Sequence, residues 1–271
     1  MLPEAAQEAL LLTNSPDCDL ASLAKIIQRD TRLATFILRI ANSSLFGSPR
    51  PIASLDRAVL YIGRRRVQAL VIAASLDAIS SRVSPEMQAA REALWLHGYL
   101  TAVLAVKINS LLKLGFDGEE FTAGLLHDFG RTLILIADPV NAPHLDPLDF
   151  EDADGLEMRE RALLGVSHAD LGAWFALLNE LPCSLVSTIQ FHHTPESAGE
   201  WLKLAALVGT ADHAANALQR VATGEPYDPS TNPGIPVLEQ AGIGSASKTF
   251  RSGVQNALVD AQEIARTMMN S

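Results

Sequence analysis

The chain has 271 residues, of which 48% are apolar and 19% charged, and its formal net charge is −10. This length and apolar content predict one large or two closely packed folded units and exclude a disordered chain. The acidic charge argues against a nucleic-acid partner, because neutralising phosphates requires a basic surface. With only 9 Phe, 3 Tyr and 3 Trp, the core must consist mainly of Leu, Ile, Val and Ala, which is typical of helical bundles.

Targeting and redox signals point to the cytoplasm. Residues 1–20 have no basic leader and carry Glu4 and Glu8, so we expect no signal peptide. No uncharged apolar run approaches the roughly 18 residues that a membrane span needs. Cys18 and Cys183 lie far apart and belong to no motif, which predicts two reduced, buried thiols. We therefore expect a cytoplasmic protein without a membrane segment.

Apolar residues recur at helical spacing in residues 1–83, which predicts a first lobe of five short helices. Asp30 is predicted to cap one of these helices and Ser54 another, and Gly63 is predicted to end the fourth. The run Arg64-Arg65-Arg66 suggests a phosphate site, but a solvated helix start is the favoured interpretation in an acidic protein.

A long helix is predicted to begin the second lobe, which we assign to residues 84–221. The run Ser84-Pro85-Glu86 supplies an N-cap, a proline at the first position and an acid facing the helix dipole. The helix should extend to about Leu114, with Gly115 directly after it. His97 falls on its apolar stripe, so we expect this histidine to face inward.

The adjacent pair His127-Asp128 lies between two apolar helical segments, where ionisable groups are costly unless they are paired. Asp117 is predicted to cap the helix that carries the pair, and Gly130 to loosen the backbone after it. Residues 138–155 hold three prolines and several acids, which predicts an exposed acidic loop. A calcium loop is the alternative, but the spacing of oxygen ligands fits no loop motif.

Further helices carry the remaining ionisable residues. Ser167 is predicted to cap a helix with His168 in its first turn, where the helix dipole disfavours protonation and so suits a metal ligand. Pro182 begins a helix that ends in His192-His193. Asp212 lies within an apolar helix. Imidazole and carboxylate groups converging in a helical interior indicate a metal site.

The C-terminal residues 222–271 are predicted to form a linker over 222–236 and a last helix over 247–269. No strand and no internal repeat is predicted. The fold class is therefore all-α, a two-lobed helical bundle.

Several blocks of the sequence resemble the HDOD domain, an all-helical bacterial signalling and regulatory module. The similarity spans roughly residues 2–218. These blocks carry it: Ile26-Ile27-Gln28-Arg29-Asp30, Leu38-Arg39-Ile40-Ala41-Asn42-Ser43, Ala58 through Gly63, Trp95-Leu96-His97, Ala123-Gly124-Leu125-Leu126-His127-Asp128-Phe129-Gly130, Gly172-Ala173, Leu181-Pro182, His192-His193-Thr194-Pro195 and Ala211-Asp212.

The resemblance implies a second lobe like that of the HD phosphohydrolases and the HD-GYP cyclic-dinucleotide phosphodiesterases, relatives of a family viewed as lacking demonstrated catalysis. The HD-type metal ligands fall on His97, His127, Asp128 and Asp212, and the additional HD-GYP-type ligands on His168, His192 and His193. Asp128 is the one candidate for a catalytic role, as a carboxylate that bridges two ions.

Three departures separate this sequence from the catalytic relatives. Arg131 stands where a lysine is expected beside the metal ligands and cannot act as an uncharged ligand or a proton donor. Ala93 stands where some HD-GYP enzymes have an acid. The chain after His193 also lacks the Gly-Tyr-Pro signature.

Two functions remain open. The first is a non-catalytic regulatory module that acts through signalling proteins on separate chains, without nucleic acid or membrane, in an unassigned oligomeric state. The second is a metal-dependent phosphohydrolase acting on a nucleotide or cyclic dinucleotide. If an ion binds, nitrogen-rich ligation favours Fe, Mn, Ni or Zn over Mg.

Overall fold

The computed structural model describes residues 4–15, 17–43, 48, 50–80, 84–151, 153–220 and 227–269. Within these ranges the backbone forms α-helices and short 3-10 helices, with no strand. The predicted all-α, two-lobed fold is confirmed. The predicted domain boundaries at 83 and 221 lie outside the described residues and stay predictions.

Five helices form the first lobe: α1 (Glu4–Asn14), α2 (Leu20–Gln28), α3 (Thr31–Ala41), α4 (Leu55–Ile62) and α5 (Arg64–Ser80). Asp19 and Asp30 cap α2 and α3, since each carboxylate accepts hydrogen bonds from two backbone N–H groups of the first turn. Ser54 occupies the predicted cap position of α4, but its side chain makes no capping bond. Gly63 ends α4 with a φ of 83°, a conformation that favours glycine.

Eight helices form the second lobe: α6 (Gln88–Leu112), α7 (Glu119–Leu126), α8 (Phe129–Ala137), α9 (Ala142–Leu145), α10 (Ala153–Leu164), α11 (His168–Leu178), α12 (Cys183–Phe191) and α13 (Leu202–Gln219). Helix α6 lies at the centre, where it packs against α7, α13 and the C-terminal helix α15 (Ala246–Met269), which follows α14 (Gly234–Gln240). Most of α6 after Leu94 is therefore buried.

Helix α5 joins the two lobes, because it packs against α1 and α3 on one side and against α7 on the other. Arg64 Nη1 donates hydrogen bonds to Thr13 O at 2.8 Å and Ser15 O at 3.1 Å. Arg66 lies 3.6 Å from Asp117. The arginine run is thus not simply a solvated helix start, since Arg64 fixes α5 to the end of α1.

Two predicted helix ends of the second lobe are wrong in detail. Gly118, not Asp117, is the N-cap of α7, and its N–H donates to the buried Glu120 carboxylate at 2.7 Å. The surface position of Asp117 leaves it opposite Arg66 instead of the helix terminus. Helix α6 begins at Gln88, after a 3-10 turn, and ends at Leu112, where Lys113 takes the left-handed conformation.

Two segments predicted as exposed or irregular are ordered against the core. Within residues 138–155, Ala142 and Leu145 of α9 are buried, because they pack in one apolar cluster with Ile134 and Leu135 of α8. Within the predicted linker, residues 222–226 lie outside the described part of the chain. Residues 227–236 include a 3-10 turn, a buried Asn232 and the start of α14.

The two cysteines are free thiols, but neither is buried as predicted. Cys183 is exposed because it is the first residue of α12, and Cys18 is partly exposed just before α2. None of the helices in the described part of the chain combines the length and the apolar composition that crossing a bilayer requires.

Candidate metal centre

Five helix-borne segments point their ionisable residues into one cleft of the second lobe. Helix α7 ends at Leu126 and α8 begins at Phe129, so His127 and Asp128 occupy the bend between two buried helices. The other members come from α6, from the start of α11, from the end of α12 and from the middle of α13. All seven predicted ligand residues therefore meet there: His97, His127, Asp128, His168, His192, His193 and Asp212.

Gly130 sets how closely α8 and α11 approach. A Cβ atom at this position would lie 1.9 Å from the carbonyl oxygen of His168, so no larger residue fits without moving a helix. Gly130 was expected to loosen the backbone, but its role here is close packing. The contact brings His168 within 3.3 Å of Asp128.

The first group of donors comprises His97, His127 and Asp212. His97 Nε2 lies 3.0 Å from Asp212 Oδ1 and 3.3 Å from His127 Nε2. His127 Nε2 lies 3.5 Å from the same Asp212 oxygen. These three side chains are almost completely buried.

The second group comprises Asp128, His168, His192 and His193. His168 Nε2 lies 3.1 Å from His193 Nε2 and 3.3 Å from Asp128 Oδ1. His192 Nε2 lies 3.4 Å from that oxygen. Within each group the donor atoms all lie within 4.8 Å of one another.

Asp128 connects the two groups through its two oxygens. Its Oδ1 faces His168 and His192, whereas its Oδ2 lies 3.4 Å from His97 Nε2 and 3.6 Å from His127 Nε2. Two ligands on one ion at about 2.1 Å are separated by about 3.0–3.4 Å at tetrahedral or octahedral angles. The observed separations of 3.0–3.6 Å are close to this spacing, so these residues could hold ions, and Asp128 is the residue that would be shared by both groups.

Two buried donor atoms of the second group lack hydrogen bonds. Within the described part of the chain, no group hydrogen-bonds to Asp128 Oδ1 or His192 Nε2. Buried polar atoms without partners are rare and need an explanation. A cation between them would satisfy both, so the residues present fit a metal ion.

The far nitrogen of four histidines is held by an acceptor. His97 Nδ1 contacts Gln219 Oε1 at 2.7 Å, and His168 Nδ1 contacts Glu160 Oε2 at 2.7 Å. The Nδ1 atoms of His127 and His192 lie 2.7 and 2.8 Å from backbone carbonyl oxygens. Protonated Nδ1 atoms leave the Nε2 lone pairs directed into the cleft, as in histidine ligands of metals.

Sequence reasoning missed Glu160 and Gln219, which orient two of these histidines. Glu160 is 1% exposed and accepts hydrogen bonds from both the backbone N–H and the ring of His168. Its position gave a signal, because Glu160 falls four residues after Leu156 and four before Leu164, on the buried face of α10. Gln219, at the end of α13, shows no comparable signal in the sequence.

The pKa values of the ligand histidines diverge. Burial lowers the pKa of His97, but hydrogen bonds to Asp128 and Asp212 outweigh burial and raise it to about 9. Burial is likewise outweighed at His168, whose pKa rises to about 10 beside Asp128 and Glu160. Without an ion, protons therefore occupy the nitrogen positions that a cation would take.

Four other groups in the cleft have lowered pKa values: His127, His193, Asp128 and Asp212. Burial lowers the pKa of His127 and, together with the neighbouring imidazoles, places that of His193 well below its usual value. Burial alone would raise the pKa values of Asp128 and Asp212, but the facing histidines hold both well below the usual range. Both carboxylates are thus charged and available to a cation.

Arg131 lies beside the candidate metal centre and binds Asp128, the residue between the two donor groups. Arg131 Nη1 donates to Asp128 Oδ2 at 2.7 Å, and the same guanidinium makes a two-bond pair with Asp146 at 2.8 and 2.9 Å. Arg131 thus competes with a cation for one oxygen of Asp128 and connects Asp128 to the segment after α9.

Residues 146–151, which we call the cover segment, lie across the mouth of the cleft. The Phe150 ring stacks on His97 at a centroid distance of 5.1 Å, with the Arg131 guanidinium 5.3 Å from the ring centroid. Arg220 Nε donates to Phe150 O at 2.7 Å. The space left between the cover segment and the two donor groups is only about 20 Å³, room for about one water molecule.

A family model described as the HDOD domain matches residues 1–195. This range contains Arg131 and every candidate ligand except Asp212. An uncharacterized protein of Treponema pallidum (strain Nichols) is 28% identical over 216 residues, which is 78% of this chain but only 41% of that protein. The chain thus spans less than half the length of this relative.

Three crystal structures of bacterial proteins have a similar fold. An HDOD domain protein with unknown function from Geobacter sulfurreducens has a TM-score of 0.75 at 23% identity, covering 97% of this chain and 92% of its own. A protein from Shewanella amazonensis SB2B, named provisionally as a phosphohydrolase, has 0.69 at 24% identity, covering 97% and 94%. A protein from Marinobacter aquaeolei VT8, named provisionally as a signal transduction protein, has 0.70 at 18% identity, covering 99% and 59%.

Proposed function

The chain belongs to the HDOD family, and on this basis we propose that it is a regulatory module that binds divalent metal in its cleft. In this proposal it acts through signalling proteins on separate chains, and the cover segment separates the metal from bulk solvent. The observation that carries the proposal is Asp128, whose two oxygens face two groups of histidine donors while Arg131 holds one of them.

The donor set supports a transition metal. Five imidazoles and two carboxylates give nitrogen-rich ligation, which favours Fe, Mn, Ni or Zn over Mg. A bound pair of such ions supplies Lewis-acid polarisation and an activated water. Residues of this chain orient the candidate ligands. Glu160 fixes the ring of His168, and Gln219 fixes that of His97. Asp128 contributes its negative charge to both donor groups.

A regulatory role is favoured over turnover by the small free space under the cover segment. A free space of about 20 Å³ cannot hold a nucleotide, and Phe150 covers His97 at the entrance. Arg131 stands where a lysine is expected. Its guanidinium stays protonated at ordinary pH and donates to Asp128 Oδ2. These side chains therefore favour retaining a cation and excluding a large anion.

An exposed apolar face on α11 supports action by protein contact. Trp174, Leu177 and Leu178 are more than half exposed, although their helix begins with the ligand candidate His168. Exposed large apolar groups that cluster on one element are typical of interaction surfaces. A change in the cleft thus has a short path to the surface through one helix.

A metal-dependent phosphohydrolase is the second candidate, and the complete donor set favours it. Both groups have three or more donors around a shared carboxylate, which two-metal hydrolysis requires. For turnover, the cover segment would have to move away from the cleft and Arg131 would have to bind a substrate phosphate instead of Asp128.

Elemental analysis and a hydrolysis assay on the same preparation test the two functions. The protein is purified without chelator, its metal content is measured, and bis(p-nitrophenyl) phosphate is offered with added Mn²⁺, Fe²⁺ or Zn²⁺. We expect one to two ions per chain and no hydrolysis above an Asp128→Ala control. Hydrolysis that Asp128→Ala abolishes would replace the regulatory function with the phosphohydrolase. A preparation that binds no ion under any of these conditions would refute the metal centre itself.

A further inference from the structure

A second cavity lies on the other side of the clamp formed by Arg131 and Asp146. It measures about 130 Å³, is partly open to solvent, and shares Arg131 and Asp146 with the lining of the cleft. Most of its wall is apolar, with α6, α8, α9 and the start of the cover segment each contributing: Ala90, Leu94, Ile134, Leu135, Leu145 and Leu148. We call it the side cavity.

The charged groups at the side cavity are already bound to partners. Arg131 is paired with Asp128 and Asp146, and Glu160 accepts two hydrogen bonds from His168. A charged ligand would find no free counter-charge among them, and desolvating it against apolar walls would be costly. The side cavity therefore fits a neutral ligand.

The volume limits the size of that ligand. An apolar protein cavity of about 150 Å³ is known to bind benzene. The side cavity is slightly smaller, so its apolar part accommodates about one small ring or branched chain.

One wall of the side cavity is continuous with the cover of the cleft. The cavity is lined by Ala142 and Leu145 of α9 and then by Asp146, Pro147 and Leu148. Two residues further along, Phe150 lies on His97. A ligand that fills the cavity would therefore contact the same segment that covers the cleft, and would favour the position that this segment has while Asp146 is bound to Arg131.

We propose that the side cavity binds a small neutral aromatic or branched aliphatic compound, and that its occupancy holds the cover segment over the cleft. Binding itself is independent of any metal. Its consequence for the cleft rests on the proposed function, because only a bound ion would make the cover segment a regulator.

The test uses fluorobenzene as the probe and metal-free full-length protein. Its ¹⁹F signal is titrated with the wild type, with Ala90→Phe and with Ala89→Phe. Ala90 lines the cavity, whereas the adjacent Ala89 is exposed on the same helix. We expect saturable binding by the wild type and Ala89→Phe and its loss in Ala90→Phe. Ala90→Leu, a smaller filler, serves if Ala90→Phe does not fold.

Amide hydrogen exchange tests the coupling separately. With saturating fluorobenzene, exchange across residues 142–151 should slow in the wild type and stay unchanged in Ala90→Phe. No saturable binding by the wild type, or equal binding by Ala90→Phe, would overturn the site. Binding without slower exchange in these residues would overturn the control of the cover segment. Neither result depends on whether the cleft binds metal.

Discussion

The two walls of the cleft are built in different ways. The inner wall consists of buried helices whose ligand rings are fixed by a backbone carbonyl, a buried glutamate or a glutamine. The cover segment has no helix, and Leu148 and Phe150 take left-handed φ angles of 56° and 57°. Such angles cost about 1 kcal/mol or more each in non-glycine residues, so contacts to Arg131, Arg220 and His97 must hold the segment in place. The inner wall is therefore fixed by helix packing, whereas the position of the cover segment depends on a few side-chain contacts.

The largest effect is expected from Asp128→Ala, which removes the residue shared by both donor groups. Loss of a bound ion costs about 2.7 kcal/mol when the ion is in hundredfold excess over its Kd. The partners left unpaired cost about 1–3 kcal/mol more. Melting with and without EDTA should show a chelator-sensitive midpoint in the wild type and an insensitive, lower one in the variant. The exposed Asp117→Ala is the control and should resemble the wild type.

The stability of the metal-free protein should fall as the pH rises, and added metal should remove this dependence. The pKa values of His97 and His168 are raised from 6.5 to about 9 and about 10 in the folded protein. Their stabilisation is therefore complete below pH 6.5 and is lost as the pH rises through 9 and 10. Urea unfolding in chelator should show this decline.

With saturating metal the decline should disappear, because the ion replaces the two protons and binds better as they leave. The same decline in both samples would contradict a metal at these nitrogens. His144→Gln, which removes an exposed histidine outside the two groups, should leave both pH profiles unchanged.

Glu160→Gln tests the inner wall through one of its orienting residues. The neutral amide is a weaker acceptor for His168, so affinity for an ion in the second group should fall about 10–100-fold. Isothermal titration with Zn²⁺ should then show one tight site instead of two. Glu157→Gln changes the same residue type one turn earlier, at a side chain that faces Arg161, and should bind as the wild type does. Unchanged affinity in Glu160→Gln would remove this glutamate from the metal centre.

Asp146→Asn should have the smallest effect on stability, about 1 kcal/mol, because this carboxylate is partly exposed. Its effect on the cover segment should be clear, since the segment would then be held mainly by the Phe150 ring on His97 and by the bonds from Arg220 to the carbonyls of Phe150 and Glu151. Amide exchange across residues 146–151 should accelerate while the amides of α11 keep their protection. The matched change Asp149→Asn, at an exposed aspartate, should alter neither. Equal acceleration in both regions would mean that the two walls are not mechanically distinct.

The inner wall was predictable from the sequence because it follows local rules. Helical periodicity correctly predicted that His97 faces inward. The position of Ser167 before His168 correctly predicted a helix cap, which is a reciprocal capping box with Asp170. The resemblance to the HDOD domain then identified the seven candidate ligands. Each of these signals lies within a few residues of the position it describes.

The cover segment was not predictable because its order depends on distant partners. Asp146 and Phe150 lie in a stretch rich in proline and acids, which predicts a solvated loop. Its fixed position depends on Arg131, fifteen residues away, and on Arg220, seventy residues away. No local pattern records such pairings. Glu160 is an intermediate case, since its place on an apolar helix face could have been noticed.

The absence of a side chain at Gly130 sets how closely α8 and α11 pack beside the candidate metal centre. Because α8 rests directly on the backbone of His168 there, the separation between Asp128 and His168 within the second group is set by main-chain contact and not by the side chains themselves. Adding one methyl group would push α11 outward and carry His168 away from Asp128. Such a variant would keep all seven candidate ligands in its sequence and still lose the geometry of the second group, so the sequence alone would misjudge whether the proposed metal site is intact.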